Sequence, residues 1–129
     1  MGLDWSRDEV DWRDEPFDEA MPRDWLAATH DEGLPGSDVW HRVWELTHES
    51  LDPDRGWRLL KRMVQLADSD EELRMIGYYP LTHMLDYHEV LIAPKLERLY
   101  RPDPKWRRAF DGQMSQVLAD FARRVDSVG

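Results

Sequence analysis

Two Asp-Pro steps, Asp52-Pro53 and Asp103-Pro104, constrain this chain more than any other feature. An aspartate at the N-cap offers its carboxylate to the N–H groups of the first helical turn. A proline at the first helical position has no N–H to leave unsatisfied. Each step therefore predicts a helix that starts at its proline. Ser37 predicts another start, and Ser69-Asp70-Glu71-Glu72 reads as a capping box. Behind these starts the apolar residues recur at three- and four-residue spacing. Trp40, Val43, Trp44, Thr47 and Leu51 form one stripe, and Trp57, Leu60, Met63, Val64 and Ala67 form the next. Leu73, Ile76 and Gly77 follow Ser69 until Pro80, which is expected to end or kink that helix; Leu81, Leu85 and His88 continue on a new axis. The run Val90-Leu91-Ile92 could suggest a strand, but Pro94 follows at once and Ile92, Leu96 and Leu99 keep helical spacing. Trp106, Phe110, Met114, Val117, Phe121 and Val125 hold one face of a last helix of roughly five turns. The pattern predicts an all-α fold, a compact bundle or short HEAT-like stack of about five to six helices.

Ahead of that domain, assigned to residues 37–129, residues 1–36 read as an acidic, tryptophan-bearing arm and linker. Leu3-Asp4-Trp5-Ser6-Arg7-Asp8-Glu9 is followed by Val10-Asp11-Trp12-Arg13-Asp14-Glu15, a repeat whose register would place Trp5 and Trp12 on one helical face. A short helix is expected over Ser6–Glu15. Pro16–Gly36 is expected to be mostly irregular, with a turn near Arg23–Thr29, and Gly33-Leu34-Pro35-Gly36 is the clearest linker.

Charge separates the two regions. Residues 1–32 carry eleven acids against three bases, a net of −8, whereas the rest carries sixteen against fourteen, a net of −2. Such a chain should repel nucleic acid and anionic lipid and attract basic proteins. With no cysteine there is no disulfide framework, thiolate metal site or cysteine nucleophile. Gly112–Ala119 is the longest stretch lacking charge and proline, far too short to cross a bilayer. The acidic first residues lack the apolar core of a secretory signal, so a cytoplasmic protein is expected.

Trp57-Arg58-Leu59-Leu60, Ile76-Gly77-Tyr78-Tyr79-Pro80-Leu81, Met84-Leu85-Asp86-Tyr87-His88 and Asp103-Pro104-Lys105-Trp106 carry a resemblance. Together they resemble an uncharacterised bacterial family of small α-helical domains. Its members carry a Gly-Pro-Leu-Glu turn, then Leu-Leu and a His-Gly. Pro80, Leu81, Leu85 and His88 match that pattern, while Tyr79, Thr82 and Glu89 depart from it. The resemblance implies the helical fold and brings no activity with it.

Three constellations are candidates for function. His41, Glu45 and His48 share a helical face and are of ligand type for zinc or iron, but His41 and His48 lie about 10 Å apart along the axis. A hydrated polar face is the plainer reading. His83, Asp86 and His88 could support a small metal-dependent or histidine-based hydrolase, with Asp86 orienting a histidine as general base. The plainer reading of His88 is a core histidine on the apolar stripe. The arm is the third: Trp5, Asp8, Glu9, Trp12, Asp14, Glu15, Phe17 and Trp25 set aromatic rings among carboxylates. They suit either a docking element for a basic protein or anchors folded back onto the body. The leading expectation is a non-enzymatic protein-binding module without a cofactor, of the immunity- or antitoxin-like kind. A structural subunit of a larger bacterial assembly is a further alternative.

Overall fold

The computed structural model describes residues 17–30, 38–48, 53–110 and 116–128, and among them the fold is all-α with no strand. The helices are α1 (Phe17–Ala28), α2 (Asp38–His48), α3 (Pro53–Leu66), α4 (Asp70–Ile76), α5 (Thr82–Tyr87), α6 (Glu89–Tyr100), α7 (Pro104–Phe110) and α8 (Gln116–Val128). A π-helical turn, Gly77–Leu81, joins α4 to α5.

The helix starts follow from local chemistry. α3 and α7 begin at Pro53 and Pro104, and the Asp103 carboxylate accepts the Lys105 N–H at 2.9 Å. At α4 the Ser69 hydroxyl accepts the Glu72 N–H at 3.1 Å, while Glu72 reaches back to the Asp68 N–H at 2.8 Å. The reciprocal bond thus lands one residue before the N-cap. The α3 stripe is buried as its spacing predicts, with Leu60 and Met63 at 0% exposure. In α2 the buried line runs through Val39, Val43 and Thr47, with Trp40 and Trp44 half-buried on its flank. The Thr47 hydroxyl is satisfied within its own helix, donating to the Val43 carbonyl at 2.8 Å.

Three expectations are corrected. Phe17–Ala28 is a helix rather than irregular chain, although Pro22 lies inside it. Pro22 removes one backbone donor, but Met21, Pro22, Trp25, Leu26 and Thr29 all fall on one buried face. Trp25 alone, at 0% exposure, buries ~200 Å² and gains roughly 5 kcal/mol before entropy is subtracted. Because α1 packs on α2 and α3, the helical body begins within the segment assigned to the arm.

Pro80 does not end the helical path, which continues through the π-turn into α5. The missing Pro80 donor is absorbed by widening the turn: the Thr82 N–H reaches the Gly77 carbonyl, and the Thr82 hydroxyl donates to the same oxygen at 2.7 Å. Finally, the last stripe is not one straight helix. The rings of Phe110 and Phe121 stack with centroids 5.2 Å apart, whereas eleven residues of straight helix would separate them by roughly 16 Å. The chain reverses between α7 and α8, so Trp106 and Phe110 on one helix and Leu118, Phe121 and Val125 on the other enter the same core.

Candidate functional site

His88 makes a single-residue elbow between α5 and α6. Its backbone leaves the helical region (φ −133°, ψ 34°), its N–H closes α5 on the Met84 carbonyl at 2.8 Å, and its carbonyl opens α6 by accepting from Leu91 and Ile92. No side chain caps α6 there. Inside the bend Met84, Leu85, Ile92 and Ala93 are buried, which turns the intervening residues outward. Val90 is 94% exposed and Tyr87 53% exposed. Only Tyr78 joins them as an exposed large apolar side chain among the described residues.

The outside of the elbow bears a shallow, wide-open depression bordered by residues 86–91. A second concavity of about 300 Å³ continues it toward α8. Asp86 and Glu89 line both, and Val117, Asp120, Phe121 and Arg124 form the far wall of the second. The carboxylates differ in their partners. Glu89 accepts from Arg124 at 3.2 Å. Asp120 accepts from Gln116 at 2.8 Å and pairs with Arg123; the Gln116 bond, aided by Arg123, holds its carboxyl below the usual range. Asp86, exposed, has no ion pair among the described residues. The elbow thus sets two exposed apolar side chains beside three carboxylates, two of them paired with arginines of α8.

The structure distributes the other candidates differently from their sequence grouping. His83 lines a tight space with Trp25, Trp40, Trp44 and Tyr79, facing α1 and α2, whereas Asp86 and His88 line the elbow concavity. The proposed His83/Asp86/His88 centre is therefore split between two faces of α5. His88 is half-buried at the elbow rather than a core residue, with Nε2 buried and lacking a hydrogen-bond partner among the described residues. His41 and Glu45 are exposed, as the polar-face reading expects, and Glu45 pairs with Arg42 at 3.4 Å. The His48 side chain lies outside the described residues. Among those described, no group of three or more histidine, aspartate or glutamate side chains is placed to hold a metal ion.

Of the arm residues assigned to a partner, Trp25 is a correction: it is wholly buried, an anchor of α1 rather than a docking side chain. Its position on the Met21/Trp25/Leu26 spacing carried that signal. Trp5, Asp8, Glu9, Trp12, Asp14, Glu15 and the side chain of Phe17 lie outside the described residues. Tyr87 and Val90 were not singled out as a surface. Val90 does sit two residues before Ile92, on the far side of the Ile92/Leu96/Leu99 stripe, and that offset was the available signal.

One further constellation joins distant elements. His30, just beyond α1, bonds through Nε2 to Glu72 Oε2 at 2.8 Å, and the Glu72 side chain is only 8% exposed. The hydrogen bond to Glu72, reinforced by the charges of Glu72, Glu71 and Asp68, raises the His30 pKa above its ordinary 6.5. No helix among the described residues is long and apolar enough to cross a membrane. Comparison of the chain with protein-family models, curated proteins and solved structures gives no match.

Proposed function

We propose that this chain is a non-enzymatic protein-binding module for a basic protein, in the manner of an immunity- or antitoxin-like inhibitor. The observation that carries the reading is charge segregation: a net of −8 within residues 1–32, against −2 in the remaining 97. Concentrated carboxylates raise the rate of encounter with a cationic cleft, and aromatic contacts made afterwards slow dissociation. The docking of α1 supports it as well. Residues 1–16, with six acids and two bases, are joined directly to a helix held by Met21, Trp25 and Leu26, so they are tethered to a fixed point on the body.

Affinity capture tests the reading, with full-length protein beside a full-length variant carrying Asp8→Asn, Glu9→Gln, Asp14→Asn and Glu15→Gln. A basic protein retained by the wild type, lost by the variant and weakened by salt is the expected outcome. Equal capture by both proteins at all salt concentrations would remove the role of the arm.

A further inference from the structure

We infer that the chain's own residues 1–16 dock in cis along the basic stripe of α3 formed by Arg58, Lys61 and Arg62. The contact uses the carboxylates that the reading above assigns to a basic partner, so α3 becomes their internal competitor. That competing role rests on the basic-partner reading; the contact itself needs no partner to form.

In a chain of net −10, α3 has the opposite sign. Pro53–Leu66 holds Arg55, Arg58, Lys61 and Arg62 against one acid, Asp54. Arg55 is buried, whereas Arg58, Lys61 and Arg62 recur at three- and four-residue spacing and share the outer side of the helix. Arg58 is exposed and has no ion pair among the described residues. Lys61 likewise has none, and its Nζ lies 5.8 Å from the Trp57 ring. Asp54, one turn before Arg58, is turned to Lys95 of α6 at 3.7 Å.

The start of α1 already reaches this stripe. Glu19 accepts from the Arg62 guanidinium at 3.0, 3.3 and 3.0 Å and lies 3.6 Å from Arg23. The hydrogen bond from Arg62, aided by the charges of Arg62 and Arg23, holds the Glu19 carboxyl below its usual range. The chain thus enters α1 at Phe17, two residues from a carboxylate seated on the stripe, and Glu15 and Asp14 come shortly before. The sixteen residues ahead of Phe17 span at most ~50 Å when extended. The fourteen residues of α3 cover only about 21 Å, so the whole stripe is within reach.

Charge and connectivity select this occupant. Residues 1–16 carry six acids against two bases, and their tether holds them at high effective concentration. A separate polyanion such as nucleic acid has to approach a molecule of net −10. A second copy offers the same acids only in a bimolecular step. Trp5 and Trp12 add another kind of contact, since an indole face stacks on a guanidinium such as that of Arg58. Exposed ion pairs are individually weak, so the docked segment exchanges and yields to a more strongly basic surface.

The test uses full-length protein. Because the chain has no cysteine, Ser6→Cys provides a single site for a nitroxide. In ¹⁵N-labelled protein the nitroxide is expected to broaden the amides of residues 58–62 more than those of α8. Raising salt to about 0.5 M should reduce that broadening at least about twofold. Arg58→Glu with Lys61→Glu should reduce it as well, and adding Asp8→Lys and Glu9→Lys should restore it. If the reversed pair lowers helical circular dichroism, Arg58→Gln with Lys61→Gln takes its place. Arg123→Glu, on α8, should leave the broadening unchanged.

Even broadening over the whole surface, indifferent to salt, would overturn the inference and leave the basic-partner reading to the capture experiment. Broadening centred on another helix, or insensitive to the Arg58 and Lys61 variants, would overturn the stripe. Equal broadening with the nitroxide and the ¹⁵N label on different molecules would make a second copy the occupant and overturn docking in cis. Salt-sensitive broadening on α3 with no protein captured would sustain the contact while removing the partner.

Discussion

The seam between α3 and α7 and the elbow between α5 and α6 use the same kinds of residue to opposite ends. At the seam Trp57 and Trp106 are 5% and 3% exposed, with ring centroids 5.5 Å apart. Lys61 and Lys95 lie over the Trp57 ring at 5.8 and 6.0 Å. Lys105 bridges the carbonyls of Gln65 and Ala67 at 2.9 and 2.7 Å, satisfying the end of α3 from the start of α7. There the cationic side chains cover apolar rings and cap a helix. At the elbow the arrangement differs: Tyr87 and Val90 are exposed, no side-chain hydrogen bond caps α6, and Asp86 has no ion pair among the described residues. Apolar area at the seam is already converted into stability. At the elbow it stays exposed.

Unfolding measurements put that contrast at risk. Trp57→Ala is expected to destabilise the protein by roughly 3–5 kcal/mol in urea or thermal unfolding, as large aromatic truncations in cores do. Trp25→Ala should behave alike, since that residue is wholly buried. Removing residues 1–32 should therefore unfold the protein, whereas removing residues 1–15 should not. Preserved folding without residues 1–32 would show that α1 is dispensable.

Glu72→Ala comes next. It strips the Asp68 N–H and His30 of their acceptor at a side chain 8% exposed, a loss expected to cost about 1–3 kcal/mol. Lys105→Met keeps most of the stem but removes two bonds to the end of α3, and should cost about 0.5–1.5 kcal/mol.

A smaller, pH-dependent effect should come from His30. Its folded pKa lies above the ordinary 6.5, so the protonated histidine's contribution is complete below pH 6.5 and lost as pH rises through the folded value. Melting temperatures of wild type and His30→Gln should therefore differ most just below pH 6.5 and converge toward alkaline pH. A gap that widened with rising pH would reverse the assigned sign. The smallest effect is expected at the elbow: Val90→Ser should change stability by less than about 0.5 kcal/mol. A loss approaching that of Trp57→Ala would make the elbow part of the core and end the contrast with the seam.

Those magnitudes track how legible each region is in the sequence. The α3 stripe, the Asp-Pro starts and the Ser69 box can be read directly, because caps and first-turn prolines act within four residues of themselves. The elbow is harder to read. Pattern alone places Val90 off the apolar stripe, yet it cannot say whether another helix covers that side. His83 and Asp86 are three residues apart and share a helical neighbourhood, but α1 and α2 flank one of them while water and α8 flank the other.

By itself the sequence determined that the chain is helical, where α3, α4 and α7 begin, and how unevenly its charge is distributed. These follow from local hydrogen bonding, from apolar spacing and from counting. Tertiary structure decided that Phe17–Ala28 is helical despite Pro22, because burying Met21, Trp25 and Leu26 outweighs one lost backbone bond. It also decided that α8 folds back on α7, and that Trp25 is core while Val90 is surface. Burial depends on which elements meet in space, and residues far apart in the chain supply the covering surface.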